Sequence, residues 1–395
     1  MMNMNGRAAG RVVRRRSLRA ILIASLLLIH GAPILAAGQA DPVLLPASAR
    51  YARNHECAAV NIHMPKSMHQ GVDGDMISPR PVDMPLSQGD YAICFAYATA
   101  DMISQRVGTE ISALDVAAKY YFSDPSRLAQ STHPALLRHL RAAPDYLAKI
   151  AASRALMEVS GDENAARLPY VDKLEGGEED IAALLYNLGG LCEDKDLPSY
   201  DGYTHFASYL DFLRKWTRLS PGDQYSRRSL ASATPAIRSP ETDAFNAAWV
   251  DLVEKQCHRR PLPAPLLPVS YRVAANEAEF MQRLEEGRRP NSAQLGRIFS
   301  MIDYALDHGR APAIGYSWYA LGLAGPDEID LVADHSSVII GRRRVGAACQ
   351  YRVQDNTGEY CSRMRPGIRE RCDYGRIWLT EDELKRTLYS VTYLR

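Results

Sequence analysis

The 395-residue sequence lacks several features that would place it in a common functional class at once. It has no internal repeat, no low-complexity tract and, beyond residue 40, no apolar run long enough for a membrane helix. Basic and acidic residues nearly balance, 47 against 46, and no segment has the basic character of a nucleic-acid binder. The histidines and cysteines show no zinc-ligand spacing. We therefore expect no metal, no cofactor, no nucleic-acid partner and no stable membrane insertion of the mature chain.

The first 40 residues have the composition of a secretory signal peptide. They contain six arginines and no acid, then the apolar run from Ile21 to Ile29, then small residues around Ala36, Ala37 and Ala40. This order is typical of signal peptides, and the apolar run is too short to span a bilayer. Removal of the leader leaves 41 basic against 46 acidic residues, a net charge of about −5. We expect a secreted or periplasmic protein.

The cysteines predict disulfides with one thiol left over. All seven lie after the leader, at Cys57, Cys94, Cys192, Cys257, Cys349, Cys361 and Cys372. An exported protein meets an oxidising compartment, in which thiols pair. Three disulfides are possible, and the nearness in sequence of the last three cysteines indicates that two of them pair. The sequence leaves the full connectivity open.

The residues around Cys94 predict a nucleophilic thiol at the start of a helix. The N-terminus of a helix stabilises a thiolate through its backbone N–H groups and the helix dipole. Gln88 stands six residues ahead and offers an amide donor for an oxyanion. Gly108 predicts the end of the helix. The residues at the spacing of one buried helix face are Phe95, Ala98, Thr99, Met102 and Ile103. A buried structural cysteine is the alternative.

A base and its orienting partner are predicted later in the chain. His335 precedes an apolar strand that we expect to end at Gly341, and a second strand, 349–353, leads to Asn356. The arginine-rich residues 342–344 are predicted to form a solvated turn that joins the two strands as a hairpin. A hairpin brings the ends that carry His335 and Asn356 together. Asp355 competes with Asn356 for the role of orienting the histidine.

The stretch from Gln88 to Ala96 resembles the active-site loop and helix of the papain-like cysteine peptidases. The resemblance implies Cys94 as nucleophile, Gln88 as oxyanion donor, His335 as base and Asn356 as the residue that orients it. Tyr91 replaces the first cysteine of the family signature, so its disulfide is missing. The tryptophan that follows the asparagine in the family is also absent, which leaves the histidine more open to water.

Other segments resemble further parts of the same family. Gly176 and Gly177, followed by a helical segment, resemble the glycine pair that lines the substrate cleft, where only glycine permits close approach of an extended peptide. A plain turn before a helix is the alternative. Residues 309–315 resemble the strand before the histidine, and residues 375–379 resemble the closing strand.

The implied fold is α+β, a papain-like two-lobed structure with a helical lobe and a β-barrel-like lobe. The expected organisation is a signal peptide at 1–40, a short N-terminal segment at 41–78 and a catalytic domain at 79–395. Insertions are expected at about 123–174, with a helical patch at 134–142, and at about 205–268.

The implied function is hydrolysis of peptide bonds in peptide or protein substrates through an acyl-enzyme. Two alternatives stay open. One is a catalytically silent relative that binds peptide or protein in its cleft. The other is a cysteine-dependent acyltransferase or amidase, which a role for Asp355 would favour.

Overall fold

The computed structural model describes a defined part of the chain, all of it within one compact unit, Ala40–Arg395. The described residues are 57–66, 69–70, 76–77, 93–142, 179–197, 199, 253–274, 280, 283, 288–317, 334–356, 361 and 364–395. The predicted leader lies outside them, as do residues 143–174 of the first predicted insertion and 205–252 of the second.

The helix predicted to begin at Cys94 is confirmed. Helix α1 spans Cys94–Val107 and ends at Gly108, whose φ of 76° is in the left-handed region that glycine adopts without strain. The Gly108 N–H donates to the Ser104 carbonyl at 2.9 Å. All five residues of the predicted apolar face are buried, so α1 is a core helix that presents its first residue toward the surface.

Six further α-helices follow α1 in the described residues. Several begin with side-chain caps: Ser112 accepts from the Asp115 N–H, and Asn291 and Thr380 each begin a capping box. The helical patch predicted at 134–142 is confirmed. The remaining α-helices are α2 Ala113–Phe122, α3 Pro134–Ala142, α4 Glu179–Leu185, α5 Ser292–Asp307, α6 Pro366–Arg369 and α7 Glu381–Lys385.

The strands of the described residues are β1 Val60–Asn61, β2 His69–Gln70, β3 Met76–Ile77, β4 Pro268–Arg272, β5 Ala313–Ser317, β6 Asp334–Val345, β7 Ala348–Gln354, β8 Cys372–Asp373, β9 Arg376–Thr380 and β10 Leu388–Leu394. They form an antiparallel sheet in the order β4-β10-β5-β6-β7-β9-β8, with β1 added beside β6. A separate two-stranded pair joins β2 and β3.

The predicted hairpin of β6 and β7 is confirmed, but its turn was placed too early. The pairing runs to Val345 opposite Ala348, so the turn consists of Gly346, with a φ of 60°, and Ala347. The expectation of a solvated turn at residues 342–344 is therefore wrong. Arg342 lies within β6, is 1% exposed, and pairs with two carboxylates of α5.

The partners of Arg342 explain why an arginine tolerates burial in this strand. Its guanidinium donates to Asp303 Oδ1 at 2.7 Å and to Asp307 Oδ1 at 2.6 Å. A buried charge is tolerated only when it is paired and hydrogen-bonded. The two aspartates lie one turn apart on α5, so they meet the same guanidinium.

Strand β6 does not end at Gly341, as predicted, because a bulge lets the strand continue. The register shifts between Ile339 and Gly341, and the extra residue, Ile340, accepts a hydrogen bond from the Ile62 N–H at 2.7 Å. A Cβ at position 341 would lie 3.0 Å from the Val60 carbonyl oxygen. Glycine therefore permits β1 to approach β6.

The described residues belong to the α+β class, since helices and an antiparallel sheet share one continuous hydrophobic core. Among the described strands, β4 and β8 form the two ends of the sheet order and do not pair with each other. The β-barrel-like lobe predicted from the sequence is thus an open sheet in this part of the chain. None of the described helices has both the length and the apolar character needed to cross a membrane.

Candidate functional site

Helix α1 places Cys94 at its first position. Ile93 precedes the helix and provides no side-chain cap, and Cys94 itself is partly exposed. Backbone N–H groups in the first turn of a helix have no partner in the helix's own hydrogen-bond ladder. The position therefore combines access from outside with a local electrostatic field that favours an anion.

The sheet brings His335 and Asp355 to one face. In an antiparallel pair, opposite residues share a face and alternate residues point the same way. Val338 pairs with Gln354, so Ser337 and Asp355 are the next opposite positions, and His335 shares the face of Ser337. The Asp355 N–H donates to the Gly375 carbonyl at 2.8 Å, which extends the ladder of β7 by one residue and keeps this alternation in force.

His335 is hydrogen-bonded to both Asp355 and Cys94. Its Nε2–H donates to Asp355 Oδ1 at 2.9 Å, and its ring also makes a hydrogen bond with the Cys94 side chain. His335 is 2% exposed and Asp355 is fully buried. With Nε2 engaged by Asp355, Nδ1 is the ring nitrogen that remains for the sulfur. A thiol, an imidazole and a carboxylate thus form one connected chain.

The electrostatics of this chain favour the imidazolium form of His335. Burial lowers the pKa of His335, but the charge and hydrogen bond of Asp355, together with the contact to Cys94, outweigh burial and raise the pKa from 6.5 to about 10. At neutral pH the ring is therefore positively charged. A positive ring beside a thiol stabilises the thiolate form of that thiol.

Tyr316 covers the histidine and the carboxylate. It pairs directly with His335 across β5 and β6, and its ring stands edge-on to the imidazole, with centroids 5.4 Å apart. Its hydroxyl contacts Ser337 Oγ at 3.0 Å and hydrogen-bonds to Asp355. Burial, followed by the charge of Asp355, raises the pKa of Tyr316 well above its usual value, so the hydroxyl stays protonated.

This cover corrects one expectation from the sequence. The absent tryptophan predicted a histidine more open to water, whereas His335 is almost completely buried. Tyr316, on the neighbouring strand β5, lies against the imidazole and provides the aromatic cover that the missing tryptophan after Asn356 was expected to provide.

Asn356 makes a different contact from the one predicted for it. Its Nδ2 donates to Asp101 Oδ2 at 3.4 Å, and its buried Oδ1 has no hydrogen-bond partner among the described residues. Continuing the alternation of β7, Asn356 follows the face of Gln354, opposite to the face of Asp355. Of the two residues that the sequence left open as partners of His335, Asp355 is the one in contact with it.

The other predicted site residues are not described. Gln88, the predicted oxyanion donor, and Gly176 and Gly177, the predicted substrate-binding glycines, lie outside the described residues. The described chain resumes at Glu179, whose carboxylate accepts a hydrogen bond from the Ser336 hydroxyl, next to His335.

Six of the seven cysteines form three disulfides. The pairs are Cys57–Cys349, Cys192–Cys257 and Cys361–Cys372. The expectation that two of the last three cysteines pair is confirmed by the third of these. Cys94 is the cysteine outside the disulfides. Its sulfur therefore remains available for chemistry.

One group of residues has the composition of a metal site, but its ligands are committed to other partners. Asp115, Cys192 and Cys257 place their ligand atoms within 4.8 Å of one another. The two sulfurs are joined in a disulfide, and the Asp115 carboxylate accepts two hydrogen bonds from Arg259, at 2.9 and 3.1 Å. A metal needs deprotonated thiolates and free carboxylate oxygens, which this cluster does not offer while the disulfide is intact.

Sequence reasoning missed two residues of the site, Asp101 and Tyr316. Asp101 lies seven residues after Cys94, and a single acid within a helix of mostly apolar residues was an available signal. Tyr316 gave no such signal, because a tyrosine in a strand is ordinary. Its role depends on the strand pairing, which local sequence does not contain.

Comparisons with known proteins add little. No protein-family model and no curated protein matches the chain. Among solved structures, the chain is similar to PepW from Lactobacillus rhamnosis HN001, with 12% identity, a TM-score of 0.35, and coverage of 85% of this chain and 81% of the other. It is also similar to the proform of the ragweed pollen cysteine protease Amb a 11, with 10% identity, a TM-score of 0.34, and coverage of 87% and 67%. Likenesses at these scores and identities carry no argument about fold or function.

Proposed function

We propose that the chain is a thiol-dependent hydrolase of amide bonds, acting on peptide or protein substrates, with Cys94 as nucleophile. The observation that carries this proposal is the buried His335, hydrogen-bonded to the Asp355 carboxylate and to the Cys94 side chain. A structural cysteine in a core has no need of an imidazolium and a carboxylate in line with it. The papain-like two-lobed fold belongs to the same proposal.

The first half of the reaction forms a thioester. The Cys94 thiolate attacks the carbonyl carbon of the scissile bond, and negative charge moves to the carbonyl oxygen. The Cys94 backbone N–H and, by proposal, the Gln88 amide stabilise this oxyanion. The His335 imidazolium then gives its proton to the leaving nitrogen as the carbon–nitrogen bond breaks, and the amine departs.

The second half releases the product and restores the site. Neutral His335 takes a proton from a water molecule, and the resulting hydroxide attacks the thioester carbon. The carbon–sulfur bond breaks, the carboxylic acid leaves, and Cys94 and His335 return to the thiolate and imidazolium forms. Asp355 stays ionised throughout, since its role is to orient the ring and stabilise its charge.

Asp355 takes the orienting role in this proposal, and Asn356 supports the strand end. The contact of His335 with a carboxylate in place of an amide also favours a second candidate function. In cysteine-dependent acyltransferases and amidases, the third residue of the site after the cysteine and the histidine is an aspartate. The acyltransferases pass the acyl group to an amine, and the amidases act on simple amides. Both candidates share the thioester, and they differ in what attacks it.

The test is turnover of a peptide library by the purified protein, with and without an added primary amine. Cys94→Ala should abolish turnover and labelling by iodoacetamide while the thermal unfolding transition is retained. Arg106→Ala is the matched control, because it changes an exposed residue at the other end of the same helix. Hydrolysis that survives in Cys94→Ala excludes the mechanism.

The products distinguish the candidates. Free acid in the presence of the amine supports hydrolysis, and an amine-linked product supports acyl transfer. Labelling of Cys94 without turnover of any library member would identify a catalytically silent binding protein.

We also propose that the chain is exported, with residues 1–40 removed. Three disulfides in the described residues agree with an oxidising compartment. The N-terminal sequence of the protein recovered from the secreting cell tests this, since a start near residue 41 is expected.

A further inference from the structure

A buried carboxylate, Asp101, links the helix that carries Cys94 to the strand end that carries Asp355. Asp101 is 5% exposed and is the one acidic residue of α1. It lies seven residues after Cys94, two helical turns or roughly 10 Å along the axis. A buried, ionised carboxylate is costly unless its oxygens accept hydrogen bonds. The donors that bond to Asp101 therefore show which parts of the fold it holds together.

Those partners are the two residues on either side of Asp355. The Gln354 Nε2 donates to Asp101 Oδ2 at 2.9 Å, and the Asn356 Nδ2 donates to the same oxygen at 3.4 Å. On its other side, the Gln354 Oε1 accepts from the Arg376 Nε at 3.2 Å. A positive guanidinium on β9 thus compensates the negative charge on α1 through an amide of β7.

The consequence is geometric. Gln354 and Asn356 point away from the face of Asp355, so a clamp on both fixes the backbone between them and with it the direction of the Asp355 side chain. The clamp is anchored in α1, and Cys94 begins α1. The cluster is buried, and its bonds to Asp101 are charge-assisted, which makes them stronger than bonds between neutral groups.

We propose that Asp101 is a positioning residue that sets the distance between Cys94 and the His335–Asp355 pair. This inference rests on the proposed function, because it assigns Asp101 a role within the proposed active site. Asp101 bonds to Gln354 and Asn356, on either side of Asp355, and acts through them. The charges that raise the pKa of His335 are those of Asp355 and Cys94, and Asp101 acts by holding these two groups in register.

The test measures how the rate of Cys94 alkylation by iodoacetamide depends on pH, in the purified protein and its variants. Asp101→Asn removes the charge and keeps the shape. Gln354→Leu keeps the charge of Asp101 but deletes the 2.9 Å contact. In both variants we expect alkylation at pH 6 to fall about tenfold, with an upward shift of about one unit in the midpoint of the profile. The limiting rate at high pH should be unchanged, because the thiolate itself is intact.

The matched control is Asp303→Asn. Asp303 is another buried carboxylate, bonded to Arg342 and to the Tyr351 hydroxyl, and it lies on α5. This variant should lower the melting temperature and leave the alkylation profile of Cys94 in place. The contrast separates loss of positioning from general loss of stability.

The alkylation profiles and melting temperatures together decide between a positioning role and a purely structural role for Asp101. The positioning role is overturned if the alkylation profiles of Asp101→Asn and Gln354→Leu superimpose on that of the unaltered protein and only the melting temperature falls. If Asp101→Asn does not fold, Gln354→Leu decides by the same criterion. If Cys94 in the unaltered protein reacts only as an ordinary thiol does, with no reactivity at pH 6, it is the proposed function that fails.

Discussion

Replacement of Asp355 by asparagine tests the central contact of the site. The variant keeps the shape of the side chain and removes the charge that faces His335 Nε2 at 2.9 Å. The pKa of His335 is raised from 6.5 to about 10, which corresponds to about 5 kcal/mol in favour of the imidazolium. Most of that preference depends on Asp355. Burial opposes the imidazolium, so the pKa of His335 in the variant should fall below 6.5 and the ring should be neutral at pH 7.

Two consequences follow for activity. Without an imidazolium beside it, the Cys94 thiolate loses its partner, so alkylation by iodoacetamide at pH 6 should fall at least tenfold. Without a proton to give, His335 no longer assists the leaving group, so kcat/KM for peptide hydrolysis should fall by roughly 10²- to 10⁴-fold. Asn356→Ala is the informative comparison. It leaves the His335–Asp355 pair and the 2.9 Å Gln354–Asp101 contact intact and removes only the longer, 3.4 Å bond to Asp101, so both rates should fall by less than they do in Asp355→Asn.

The same substitution changes the dependence of stability on pH. A group whose pKa is raised on folding contributes stability that is fully present below its unfolded pKa and is lost as pH rises through the folded pKa. For His335 the window runs from 6.5 to about 10. The difference in unfolding free energy between the unaltered protein and Asp355→Asn, measured with urea, should therefore shrink as pH rises across this window. A constant difference, together with unchanged alkylation at pH 6, would refute the assignment of Asp355.

Three further predictions concern the cover of the site, one disulfide and one ion pair. Tyr316→Phe deletes the hydroxyl that bonds Ser337 and Asp355, so urea unfolding should show a loss of about 1 kcal/mol, whereas Tyr316→Ala, which also leaves a cavity, should lose about 3–5 kcal/mol; equal losses would contradict the role of the ring as a cover. Replacing both Cys361 and Cys372 by alanine removes a disulfide of sequence separation 11 and should lower the unfolding free energy by about 3 kcal/mol. Reductant should then lower the melting temperature of the variant only through the other two disulfides. Burial raises the pKa of Glu383, but its hydrogen bonds to Arg371 and to Thr380 outweigh burial and lower the pKa to about 2; its stabilising contribution is therefore present above pH 4.5 and lost as pH falls through about 2, and acid titration of Glu383→Gln should lack this step.

The parts of the site that were predictable are those with a local pattern. The helix from Cys94 to its glycine end, the strand after His335 and the hairpin that follows all have short-range signals, namely helical spacing, apolar runs and a turn. These signals also brought Asp355 and Asn356 forward together as partners of His335.

Choosing between those two residues needed the register. A shift of one residue exchanges the faces of a strand, and the bulge at Ile340 makes the register of β6 and β7 impossible to count from the turn. The same limitation misplaced Arg342. Its partners, Asp303 and Asp307, are 39 and 35 residues away, so nothing near the arginine run distinguished a buried ion pair from a solvated turn. The role of Asp101 likewise depends on residues 253 and 255 positions later.

The Cys57–Cys349 disulfide spans 292 residues and so encloses most of the chain in one covalent loop. A single backbone cut anywhere inside that loop creates a new amino terminus and a new carboxyl terminus but separates no piece. Self-processing or nicking within the loop would pass unnoticed on a non-reducing gel, as one band of unchanged mass. Only reduction before electrophoresis, or sequencing of the new terminus, would reveal it.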